Sequence, residues 1–282
     1  MNGKESSSLV LVARAALACV LLSMVPFAAG AQVRDHAVEV DGGSLHYLEA
    51  GDAGKTVVLL HGYLATSREW APYIDALAAG HRVIAFDLPG HGRSDRIDGR
   101  FRHRAVAASL LQALDRLGVH KFRVVGHSSG ALIALRMALQ QPERVASVTA
   151  ISTPWRVPDR LREIATAMSI DTAPPPMLEV LRTRHPGGRA QIAWLLEQQA
   201  RMAADQGEMA VNDTDLARIS MPVLIAHGDR DPLLPVADAV ALQDRLPEAR
   251  LLVLPDTGHE LPGAESVSFQ LMRKGLVGYL AD

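Results

Sequence analysis

The chain has 282 residues, 48% of them hydrophobic and 21% charged, which is enough for one large domain or two small ones and too apolar for intrinsic disorder. Its formal net charge is −2 and its basic residues are scattered, so there is no electrostatic case for a nucleic-acid partner.

At the N-terminus, Lys4 and Arg14 precede an uncharged apolar stretch, Ala15 to Phe27, that ends in Ala29-Gly30-Ala31. That is the pattern of an export signal. The apolar run, 13 residues long, is too short to span a bilayer comfortably. Cleavage after Ala31 is expected, giving a periplasmic or secreted protein with no stable membrane anchor. A lipoprotein anchor at Cys19 is disfavoured because Arg14 interrupts the apolar region needed before it. Removal of residues 1–31 takes Lys4, Glu5 and Arg14, leaving 27 basic and 30 acidic residues and a charge of −3. It also takes the only cysteine, which excludes disulfides, a thiolate nucleophile and a cysteine metal site in the mature chain.

Residues 36–50 read as a hairpin, with Asp41-Gly42-Gly43 as the turn. Thr56 to Leu60 is a continuous apolar run, the mark of a strand buried on both faces, and it leads directly into His61-Gly62-Tyr63. Thr66 or Ser67 can cap a helix reaching about Ala79. His81 to Phe86 gives the next strand, and Asp87 to Ser94 a glycine-rich loop. A helix from about His103 to Leu117 precedes Lys121 to Val125. There a β-branched run halts at Gly126, one serine sits between Gly126 and Gly130, and a helix-forming run, Ala131 to Leu139, begins at once. This predicts strand, sharp turn, helix.

Val145 to Ile151 is another buried strand. From Pro154 to about Ser220 the alternation stops, and helical patterns near 159–168, 177–184 and 191–204 are broken by Pro174-Pro175-Pro176 and Pro186-Gly187-Gly188. We read residues 154–220 as a helical cap inserted into a core made of 32–153 and 221–282. Strands and helices then resume at Pro222 to Ala226, 235–246, Arg250 to Leu254 and 265–280. The alternation requires a mostly parallel sheet with right-handed crossovers and helices on both faces.

A serine on a strained strand-to-helix corner has its Oγ pushed outward and helix N–H groups beside it. On Gly126-His127-Ser128-Ser129-Gly130 in this context, the chain resembles the α/β-hydrolase family over nearly its whole length beyond the N-terminal segment. The resemblance implies that fold, with nucleophile, acid and histidine in that order along the chain. Ser128 is then the nucleophile. His227-Gly228-Asp229-Arg230-Asp231-Pro232, after a strand, is similar to the family's acid loop and points to Asp231, with Asp229 as a competitor. Gly258-His259, beyond the final strand, looks like the family's base. His127 and His227 are read as packing or hydrogen-bonding residues. The N–H of Ser129, at the helix start, is one candidate oxyanion donor, and the resemblance of His61-Gly62-Tyr63 to the family's His-Gly-aromatic motif makes the N–H of Tyr63 the other. The Asp87 to Ser94 loop is assigned a bracing role.

Within the family, haloalkane dehalogenases and epoxide hydrolases carry aspartate at the elbow, so Ser128 argues against those activities. No metal or cofactor is expected: Gly90-His91-Gly92 lacks the third glycine of a dinucleotide fingerprint and does not open a helix. The expected function is acyl transfer to water, with a small-molecule carboxylic ester as substrate. Carbon–carbon, lactone or thioester hydrolysis and transfer to another acceptor use the same residues, and a non-catalytic binding role stands as the alternative from another class. Met168, Ile170, Met177, Leu178, Trp194, Leu195 and Leu196 could line an acyl pocket or form the cap's own core.

Overall fold

The structure, a computed structural model, describes residues 30, 32–52, 54–97, 99–153, 155–156, 158–205, 207 and 210–281. Apart from Gly30, the expected export signal lies outside the described residues.

The chain opens as an antiparallel hairpin of β1 (Arg34–Val40) and β2 (Gly43–Ala50). Gly42 in its turn has φ 91°, a conformation that a side chain would strain. β2 pairs antiparallel with β4 (His81–Phe86). From there the sheet is parallel through β3 (Lys55–Leu60), β5 (Phe122–His127), β6 (Val145–Ile151), β7 (Val223–Gly228) and β8 (Ala249–Leu254), in the order β1-β2-β4-β3-β5-β6-β7-β8. In chain order the helices are α1 (Ala71–Ala78), α2 (His103–Arg116), α3 (Ser129–Gln140), α4 (Asp159–Ala167), α5 (Pro175–Arg184), α6 (Gly188–Ala204), α7 (Asp213–Leu216), α8 (Val236–Gln243) and α9 (Val267–Ala281).

The continuous apolar strands are explained by helices on both sides. Val58, Leu60, Val124, Val148 and Ile225 face a core shared with α2, α3 and α8. Their neighbours Val57, Leu59, Val125, Ile151 and Ala226 face α1 and α9. Because successive strand side chains point to opposite faces, a polar side chain placed in these runs would be buried whichever way it pointed.

The helix expected from Thr66 or Ser67 to Ala79 divides in two. Ser67–Trp70 is a 3-10 turn in which Ala71 N–H donates to Arg68 O, and the α-helix starts only afterwards. Pro72, which has no N–H, cannot extend the earlier hydrogen-bond ladder.

Between β6 and β7, α5, α6 and the turn before α5 form a third apolar cluster around Leu181, Ile192, Leu195 and Leu196, into which Leu64 of the core packs. The flanks of the 154–220 segment are built into the main core instead. Trp155, Met202, Val211, Leu216 and Ile219 pack there, and Trp155 Nε1 donates to Asp238 O at 3.0 Å.

Candidate active site

The site begins with two glycines that let β5 and α3 meet at a sharp corner. A Cβ at Gly126 would lie 2.3 Å from Gly130 O, and one at Gly130 would lie 2.3 Å from Leu60 O. Between them Ser128 adopts φ 51° and ψ −114°, its N–H donating to Ile151 O at 2.8 Å. This is costly backbone, held in place by the neighbouring strand and by α3, which is buried from Ser129 to Ala138.

His259 Nε2 lies 3.0 Å from Ser128 Oγ, and its Nδ1 lies 2.8 Å from Asp231 Oδ2. Since a carboxylate only accepts, Nδ1 carries the proton and Nε2 is free to take one from the serine. Asp231 Oδ1 accepts N–H bonds from Leu233 (2.8 Å) and Leu234 (2.9 Å). Burial opposes the Asp231 charge, but the hydrogen bond from His259 and these two N–H groups hold its pKa below the usual carboxylate value. Asp229 points elsewhere and its Oδ1 accepts the N–H of Thr257 at 3.1 Å, bracing the loop that carries His259. The two loops come close at Gly228, where a Cβ would lie 2.3 Å from Thr257 O and 2.4 Å from Gly258 O.

Tyr63 follows the end of β3. Leu88 N–H donates to His61 Nε2 (3.0 Å), so His61 Nδ1–H donates to Gly62 O (2.7 Å) and fixes this loop. Ser129 opens α3, and its Oγ lies 2.8 Å from His103 Nε2. Asp87 braces the surroundings: its carboxylate accepts the N–H groups of Ser67 (2.7 Å) and Arg93 (3.0 Å) and contacts His46 Nδ1 (2.9 Å).

Sequence reasoning missed Glu69. Its Oε1 lies 3.0 Å from His127 Nδ1, and its Oε2 accepts the N–H of Gly62 at 3.0 Å. His127 Nε2 donates to the backbone O of His259 at 2.8 Å. One buried pair thus ties the Gly62 loop, the elbow and the histidine loop together. Burial works against charge on both partners, and their mutual attraction prevails, pushing His127 up to about 9 and Glu69 down to about 2; Glu260 adds to the shift on His127. The available signal was a carboxylate immediately before Trp70 in a buried stretch, which would need a cation.

A cavity of about 130 Å³ is lined by Tyr63, Leu64, Ser128 and His259 from the core and by Leu161, Ile164, Met168 and Met177 from the inserted helices and the turn after α4. Of the apolar cap residues singled out in the sequence, all seven take part in the cap's own cluster, and Met168 and Met177 line the cavity as well. Among the described residues no helix is long and apolar enough to cross a membrane.

A family model described as alpha/beta hydrolase fold matches residues 55–181. A candidate carbamate hydrolase, RutD, of Variovorax paradoxus is 30% identical over 263 residues, covering 84% of this chain and 96% of its own length. A pimeloyl-[acyl-carrier protein] methyl ester esterase of Nitrosomonas europaea is 28% identical, covering 77% and 92%. The crystal structure of a carboxylesterase from Bacillus subtilis superposes with a TM-score of 0.70 at 20% identity, covering 97% of this chain and 98% of that one, and shows the shared fold. The chain belongs to the α/β-hydrolase family. The curated relatives indicate, more particularly, a hydrolase.

Proposed function

We propose that the protein hydrolyses small carboxylic esters through an acyl-enzyme formed on Ser128. The observation that carries this reading is the unbroken chain Asp231–His259–Ser128 ending at a serine with φ 51°. His259 Nε2 takes the Oγ proton as Ser128 attacks the ester carbonyl, and Asp231 stabilises the imidazolium that forms. The N–H groups of Tyr63 and Ser129 are the proposed donors to the oxyanion, each worth roughly 3–4 kcal/mol where such donors have been removed. Collapse of the tetrahedral intermediate expels the alkoxide, which takes the proton back from His259. Water, deprotonated by His259, then attacks the acyl carbonyl and releases the acid and the free serine.

The methyl ester esterase among the relatives supports ester chemistry, and the apolar side of the cavity, formed by Leu64, Leu161, Ile164, Met168 and Met177, supports a small apolar acyl group. Export with cleavage after Ala31 belongs to the same proposal. It is supported by the charge and apolar pattern of residues 4–31, and N-terminal sequencing of the mature protein checks it.

The decisive experiment is turnover of p-nitrophenyl esters of rising acyl length by wild type and Ser128→Ala. Wild-type hydrolysis with a loss of at least about 10⁴-fold in kcat in the variant is expected. If wild type is inert while a fluorophosphonate labels Ser128, the nucleophile stands and the ester assignment falls, in favour of carbon–carbon, lactone or thioester substrates. If Ser128 is neither active nor labelled in folded protein, the catalytic reading itself fails.

A further inference from the structure

A second cavity, of about 580 Å³, opens at the other end of the parallel strands from Ser128. It is lined by Lys55 at the start of β3, Lys121 and Arg123 at the start of β5, Ser147 on β6, Arg250 on β8 and Tyr279 on α9. Four cationic side chains line it, and no aspartate or glutamate does.

Arg123 is the telling residue. It is only 7% exposed, yet among the described residues its guanidinium has no carboxylate and no hydrogen-bond acceptor. Elsewhere this fold satisfies its buried arginine. Arg136, 6% exposed, donates to Gly207 O and Ala210 O and faces Asp215. The Arg123 side chain is largely buried while its guanidinium opens on the cavity, and three further cations around the same space raise the local positive potential. Among them, Lys55 only reaches Ala281 O, at 3.4 Å.

The backbone brings donors to the same place. The β5–β6 register shifts between Phe122 and Arg123, so that Arg123 sits opposite Ser147. Ser147 Oγ and the Tyr279 hydroxyl are both buried without a protein partner. Burial raises the Tyr279 pKa, with Arg250 and Arg123 acting against that rise, so the phenol keeps its proton and can donate.

From these residues we infer a binding site for a phosphate group, carried by a small molecule or by a lipid headgroup. The guanidinium fork of Arg123 on the floor matches the paired oxygens of a phosphate. Lys55, Lys121 and Arg250, all exposed, supply point charges at the rim. A phosphate monoester carries about −1.5 to −2 charge and three strong acceptor oxygens, which suits four cations and two hydroxyls better than a single carboxylate does.

The test compares wild type, Arg123→Met and the rim variant Lys55→Gln/Lys121→Gln/Arg250→Gln. Inorganic phosphate is titrated by calorimetry and by thermal melting, against potassium chloride of matched ionic strength. Phosphate should raise the wild-type Tm by roughly 3–6 °C at ten times its dissociation constant. Arg123→Met should lose that rise. The rim variant, altered only at exposed positions, should fold normally and bind at least tenfold more weakly, with ester turnover unchanged.

Sedimentation with phosphatidic acid and phosphatidylcholine vesicles separates the two sources. Capture by the anionic vesicles, lost in both variants, identifies a headgroup, and binding of free phosphate alone identifies a soluble ligand. The inference is overturned if neither probe binds wild type, or if both variants bind as wild type does.

Discussion

Ser128 lies beside two histidines that hold opposite roles, and their partners decide which is which. His259 is hydrogen-bonded to Asp231 and faces the serine, whereas His127, 5.4 Å away ring to ring, is bonded to Glu69 and to the His259 backbone. A charged His127 near the imidazolium that forms on His259 would repel it, and the Glu69 carboxylate offsets that charge. Glu69→Gln should therefore lower kcat by roughly 10–100-fold with a smaller change in KM, because Glu69, although it borders the cavity, is held by His127 and Gly62 and acts by orienting the reacting residues. The pair also predicts a pH signature. The His127 pKa rises from 6.5 to about 9 on folding, so its contribution is complete below 6.5 and lost as pH climbs through 9. That of Glu69 falls from 4.5 to about 2, so its contribution is complete above 4.5 and lost as pH drops through 2. The gap in Tm between wild type and His127→Gln should thus be widest between pH 4.5 and 6.5 and shrink on either side; a gap independent of pH would exclude a charged pair. Ser128, Asp231 and His259 could be read from the sequence because each stands in a local pattern at a strand end. Glu69 could not, since its partner lies 58 residues away and no local pattern marks the pair.

At the scale of elements, the strands were the most legible part, because two-sided burial writes itself as an unbroken apolar run. The distribution of helices between the two faces was hidden for the same reason: strands apolar on both sides do not say which helix covers which. The inserted helices were visible as patterns, but their attachment was not. α6 is fastened to the Asp87–Ser94 loop by Gln191, whose Nε2 donates to Gly90 O (2.9 Å) and Gly92 O (3.0 Å) and whose Oε1 accepts the N–H of Gly187 (2.8 Å). Trp194 fills the space beside Gly90, with Arg96 stacked 5.0 Å from its ring, and the Tyr63 hydroxyl donates to Leu195 O at 2.8 Å. Gly90 must be glycine here: at φ 76° its Cβ would fall 2.2 Å from the Trp194 ring. Gln191→Leu keeps the packing but strands two buried carbonyls, Gly90 O and Gly92 O, at a cost of about 2–3 kcal/mol. A Tm decrease of roughly 4–12 °C should follow, measurable by calorimetry. A variant that melts with wild type would show that α6 is held by its apolar contacts alone.

Under the proposed function the molecule divides its chemistry between two bodies of sequence: the loops at the sheet's edge hold the reacting groups, and residues 154–220 supply part of the wall around them. Residues from both line the cavity, Met168 and Met177 from one and Ser128 and His259 from the other. That division makes specificity separable from catalysis. Met177 is 4% exposed and lines the cavity without touching the Asp231–His259–Ser128 hydrogen bonds. Met177→Ala should lengthen the acyl chain that fits while leaving the nucleophile intact. If the space released accepts two more methylenes, at about 0.8 kcal/mol each, the ratio of kcat/KM for a hexanoyl over a butanoyl ester should rise roughly tenfold. The rate of Ser128 labelling by a small fluorophosphonate should stay within a factor of about two of wild type, since it reads the nucleophile rather than the pocket. A fall in labelling together with no change in chain-length preference would mean that Met177 supports the elbow instead of bounding the acyl group, and the wall would then have to be sought at Leu161, Ile164 and Met168, the remaining apolar contributors from the insertion.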